Sequence, residues 1–133
     1  MEIEIEWEYT DEEEESIDFN EVLYAYLNPH SDEILYIGKA DRSSVWERMK
    51  GEHKEDVFDF IQNELGLNEF SCIVGVPDVP AYGDLLADIE SLLIYCIKPS
   101  ANIQSKNSRI SRPELSVTCS GDWPYKESQF YDD

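Results

Sequence analysis

Residues 22–53 read VLYAYLNPHSDEILYIGKADRSSVWERMKGEH, and they break the acidic pattern of the rest of the chain. Two apolar runs, Val22 to Leu27 and Ile34 to Ile37, flank the polar segment Asn28 to Asp32, which predicts two strands joined by a hairpin loop. Tyr24 and Tyr36 then fall on neighbouring strands. Gly38 is expected to end the second strand, with Lys39 directly after it. Ser44 and Glu47 have the spacing of a capping box, so a helix is expected to start there, carry Arg48 and reach Gly51. Two phenols, an ammonium and a guanidinium are thereby drawn from strand, turn and helix.

Residues 84–97, DLLADIESLLIYCI, form a second informative stretch. Helical spacing puts Asp84, Asp88, Ser91 and Tyr95 on a polar stripe and sets Glu90 among Leu86, Ala87, Leu93, Ile94 and Ile97. A carboxylate among apolar neighbours is costly unless a cation compensates it. Either a divalent metal or an arginine answers Glu90, or its side chain reaches past the apolar border to water. The helix runs into Lys98-Pro99-Ser100-Ala101-Asn102.

Together the two stretches resemble the GIY-YIG nuclease family. Leu23-Tyr24 stands where that family has its first Ile-Tyr, and Tyr36-Ile37-Gly38 is the second half intact. Arg48 matches the helical arginine, and Glu90 followed by a proline turn and Asn102 matches the distal glutamate and asparagine. Val22 replaces the leading glycine, and the interval from Tyr36 to Arg48 is about two residues longer than in the repair-nuclease branch. The resemblance covers residues 20–105. It implies an α+β fold, a small central, mainly antiparallel β-sheet flanked by helices, here with an extra N-terminal strand. It also implies a metal-dependent DNA endonuclease hydrolysing phosphodiester bonds. Its catalytic residues would be Tyr24, Tyr36, Lys39, Arg48 and Glu90, with Glu90 holding one Mg2+ or Mn2+ ion. Asn102 would support Glu90 or meet a phosphate, and His53 either contacts substrate or caps its helix. A phenol of pKa about 10 acts as a base only where cations lower that value. Tyr24 is the first candidate, beside Lys39 and the metal, with the choice between the two tyrosines open.

Charge bounds the function from another side. The chain carries 30 acidic and 10 basic residues, a net of -20, and a nuclease's substrate has the same sign. Yet nine of the ten cations lie in two windows. Residues 39–54 hold Lys39, Arg42, Arg48, Lys50 and Lys54 against three acids, and residues 98–112 hold Lys98, Lys106, Arg109 and Arg112 against none. Lys98, Lys106 and Arg109 are thus candidate phosphate contacts on a basic flap, unless that segment is simply a solvated loop. The acidic remainder supports a rival reading, a catalytically weak or inactive fold of this kind acting as an acidic interaction module that mimics nucleic acid or binds a protein partner.

A length of 133 residues suits one domain with a single core. Three segments are expected within it: an acidic N-terminal strand and loop (1–19), the nuclease-like core (20–105), and a C-terminal basic flap, strand and acidic tail (106–133). No apolar run is long enough for a membrane span and the N-terminus lacks the pattern of a signal peptide, so a cytoplasmic location is expected. Cys72, Cys96 and Cys119 sit in apolar surroundings and read as reduced core residues. Met1 to Tyr9 alternates strictly, with Ile3, Ile5, Trp7 and Tyr9 on one side and four glutamates on the other, predicting a half-buried strand at a sheet edge. Asp11 to Glu15 is either a solvated loop or an internal competitor for the basic windows. A helix is expected over Glu55 to Leu65, stopped by Gly66, and strands over Phe70 to Val76 and Leu115 to Cys119.

Overall fold

Alternation makes Glu2–Tyr9 a strand, β1, in which Ile3, Ile5 and Trp7 are buried and all four glutamates are exposed. In the computed structural model, which describes residues 2–9, 21–40, 57–81, 83–102 and 115–131, β1 is not at an edge. It pairs antiparallel with β4 (Ser71–Pro77) and parallel with β5 (Ser116–Gly121). The glutamates therefore mark the solvent face of an inner strand and do not guard an edge. Trp7 decides this placement. Its cross-strand partners are glycines on both sides, Gly75 and Gly121, and a Cβ at Gly75 would come within 2.7 Å of the Trp7 ring. Trp123 closes over it at 5.3 Å between ring centroids. Tyr9, expected on the buried side, is exposed at the strand's end.

The hairpin expected from residues 22–37 is present as β2 (Val22–Leu27) and β3 (Ile34–Ala40). The Asn28 side chain accepts from the His30 N–H at 2.9 Å, an Asx turn that fits its residue type, and Asp32 takes the left-handed conformation. The sheet order is β3-β2-β4-β1-β5-β6, where β6 is the short strand Gln129–Tyr131. The fold is α+β, but the sheet is mixed, because β1 and β5 run parallel while the other pairings are antiparallel. All three expected segments contribute strands to it.

The helix expected over residues 84–97 is α1 (Asp84–Ile97), which buries Leu86, Ile89 and Leu93 against Leu23, Ala25, Leu27 and Ile37 on one sheet face. Asp88, expected on the polar stripe, is itself buried. The opposite face packs Val22, Tyr24, Tyr26 and Val74 against Val57 and Ile61. The helix expected over residues 55–65 opens into a π-helical turn, Phe60–Glu64, with Leu65 N–H donating to the Phe60 carbonyl at 3.3 Å. Gly66 follows with φ +70, the left-handed stop its position suggested. Of the cysteines, Cys119 is buried, Cys72 half-buried and Cys96 exposed, so the expectation of three core thiols fails at Cys96. Among the described residues no helix is long and apolar enough to cross a membrane.

Candidate functional site

Strand pairing brings the two motif halves together. Tyr24 lies opposite Gly38 and Tyr26 opposite Tyr36, so all of these share one face of the β2–β3 ladder. The Tyr24 ring occupies the space a side chain would take at position 38: a Cβ there would meet its Cζ at 2.5 Å and its hydroxyl at 2.6 Å. Gly38 is therefore not a strand terminator, since β3 continues to Ala40. Its lack of a side chain admits the phenol. Tyr36 sits 6.1 Å from Tyr24 and 5.5 Å from Tyr26 between ring centroids. Tyr26 also contacts Phe70 at 4.5 Å and Phe58 at 5.8 Å, which makes an aromatic cluster. Tyr26, Phe58 and Phe70 were not singled out in the sequence, although the parity of Tyr24 and Tyr26 on one strand already puts both on one face.

Burial separates the two motif tyrosines. Tyr24 is fully buried, whereas Tyr36 is partly exposed. Of the two, Tyr36 is the one that keeps surface to solvent.

Asn102 is also buried and has a specific task. Its Oδ1 accepts from the Ile37 N–H at 2.8 Å and its Nδ2 donates to the Ile37 carbonyl at 2.9 Å. The Ala101 N–H donates to the Leu35 carbonyl at 2.8 Å. The turn after α1 thereby pairs with β3 along the edge that no other described strand covers, and holds the Tyr36-Ile37-Gly38 backbone in place.

The remaining expected residues divide by location. Lys39 is opposite Leu23, so it stands on the face that carries α1 and not on the tyrosine face. The proximity of Lys39 to Tyr24 expected from their sequence positions does not arise, because consecutive strand residues alternate sides. Glu90 is half-buried on α1, whose apolar side packs on that same α1-bearing face. Lys98 follows the helix in a left-handed conformation, with its ammonium 4.6 Å above the Tyr95 ring. Arg48, His53, Lys106 and Arg109, together with Asp11 to Glu15, lie outside the described residues.

Among the described residues no three His, Cys, Asp or Glu side chains gather as a metal cage. A magnesium ion needs no such cage, because it keeps most of its waters and takes one or two carboxylates. Glu90, part-buried on α1, carries hard oxygen donors of the kind such an ion takes. No family model matches the chain, and no curated protein or solved structure matches it either.

Proposed function

We propose that the protein is a metal-dependent DNA endonuclease with a GIY-YIG-type site. The observation that supports this reading is the convergence on Tyr36-Ile37-Gly38: Tyr24 fills the space above Gly38, Tyr36 lies beside it, and Asn102, 65 residues further along the chain, grips Ile37 through both amide atoms. Motif positions distant in sequence serve one short piece of backbone.

Cleavage requires an activated water, compensation of charge on phosphorus and stabilisation of the leaving oxygen. In this proposal Tyr36, the partly exposed residue of the two, orients the water or takes its proton, while buried Tyr24 packs beside it. Arg48 supplies a planar two-pronged donor to a nonbridging phosphate oxygen, a preorganised contact whose loss typically costs about 10²- to 10³-fold in rate. Glu90 binds the divalent ion, which when present neutralises the developing negative charge. The substrate phosphate lies at the β3 edge, the boundary shared by Tyr36, Lys39 and the turn that follows α1.

Nicking of supercoiled plasmid tests the proposal. Cleavage is expected only with Mg2+ or Mn2+, and is expected to fall at least about 10²-fold in Glu90→Ala and in Tyr36→Phe. Absence of cleavage by folded wild-type protein with every divalent ion tried would remove the enzyme from the account.

A further inference from the structure

Beyond the tyrosine cluster, the other half of the same sheet face carries exposed acids among the described residues. Glu2, Glu4, Glu6 and Glu8 project from β1 on this side and all are exposed. Their flanking neighbours on β5 are Ser116, Thr118 and Ser120, none of which brings a cation to the row. Because β1 is an inner strand, this row does not serve to block edge pairing.

The row continues into an apolar cleft. Glu6 pairs across the ladder with Val76, which is 44% exposed, and Val76 lines a cleft of about 370 Å3 together with Val22, Val79 and Ala81. Val79 is 39% exposed, and the acids Glu21 and Asp78 stand on the same walls. The cleft is tied to β1 by a reciprocal pair of bonds: Glu4 N–H donates to the Asp78 carboxylate at 3.1 Å, and Asp78 N–H donates to the Glu4 carbonyl at 2.8 Å. Apolar recess and acidic row are therefore parts of one fixed surface.

We propose that this surface docks a basic polypeptide segment in extended form, with one apolar side chain in the Val76–Val79 cleft and cations set against Glu6, Glu4 and Glu2. Charge complementarity selects a cationic partner, and the recess adds an anchor that a purely electrostatic contact lacks. Spacing selects the conformation. Alternate residues of a strand lie about 7 Å apart, so every second side chain of an extended partner meets a glutamate. This interaction is independent of whether the chain cuts DNA.

The test is fluorescence anisotropy with a labelled synthetic peptide, Leu-Ser-Lys-Ser-Lys-Ser-Lys-Ser, and the same peptide with alanine in place of leucine. Three proteins are compared: wild type, Glu4→Gln/Glu6→Gln, and a charge-matched control, Glu64→Gln/Glu69→Gln, altered at exposed acids on another segment. Circular dichroism verifies that each is folded. The row variant is expected to bind about tenfold more weakly while the control keeps wild-type affinity. The leucine peptide is expected to bind wild type more tightly than the alanine peptide, and Val79→Ser is expected to erase that difference. Equal loss in both charge variants would reduce the effect to net charge and overturn the proposal, as would no binding to the wild-type protein. Indifference to the leucine would overturn the anchor.

Discussion

Gly38 lies under the buried Tyr24 ring, which is flanked by the rings of Tyr26 and Tyr36. Gly38→Ala is expected to destabilise the fold by about 1–3 kcal/mol, the usual cost of overpacking a core, read as a lower urea midpoint with an unchanged slope. Burial pushes the Cys119 thiol up to about 12 from an ordinary value near 9 and raises the Tyr125 phenol, while partial desolvation together with the Asp32 and Asp122 charges raises that of the largely exposed Tyr9. For all three groups the native state favours the protonated form. Their stabilising contribution is fully present below the unfolded values and declines as pH rises towards the folded ones. Between pH 9 and 12 the thiol alone accounts for a slope of at most about 1.4 kcal/mol per pH unit. Cys119→Ala is expected to flatten that part of the alkaline stability curve, and an unchanged slope would refute the assignment. Thiol labelling at neutral pH is expected to modify exposed Cys96 readily and Cys119 only on unfolding.

At the scale of elements, the Asn102 turn behaves as a clip on the edge of the sheet. Asn102→Ala leaves the Ile37 N–H and carbonyl without their side-chain partners in a buried setting, so a loss of about 2–3 kcal/mol is expected. Hydrogen exchange is expected to speed up at Ile37 before it does in β1, because β1 is bonded on both sides; uniform acceleration would argue against a local clip. The elements also show what could be read in advance. The hairpin and α1 were legible because their alternation, turn residues and apolar stripe are local signals. The inner position of β1 was not, since strand order depends on distant partners: Gly75 and Gly121 accommodate Trp7 only once the chain has folded. β6, three residues long, carries no period to detect. Lys39 was misjudged for a definite reason. Ending the second strand at Gly38 hid its parity, which on a continuing strand puts it on the other sheet face from Tyr36. The placement of Tyr24 and Tyr36 on neighbouring strands was legible from the two motif halves, whereas the register that sets Tyr24 over Gly38 and the two-handed grip of Asn102 on Ile37 had no sequence signal beyond the residue types themselves.

At the scale of the whole molecule, the proposed nuclease reading sets a net charge of -20 against a polyanionic substrate. Concentrating nine of ten cations in residues 39–54 and 98–112 is a physical answer, because local field and not total charge acts within a Debye length of about 8 Å at physiological salt. Duplex binding is therefore expected to weaken with added salt, with a log–log slope of about -0.9 for each phosphate neutralised. A slope of zero or of the opposite sign would mean that the two windows do not engage the backbone. The most direct measurement is crystallographic location of Mn2+ by its anomalous signal. An ion bonded directly to the Glu90 carboxylate is expected. Manganese confined to the Glu2–Glu8 row, with Glu90 carrying none, would contradict it.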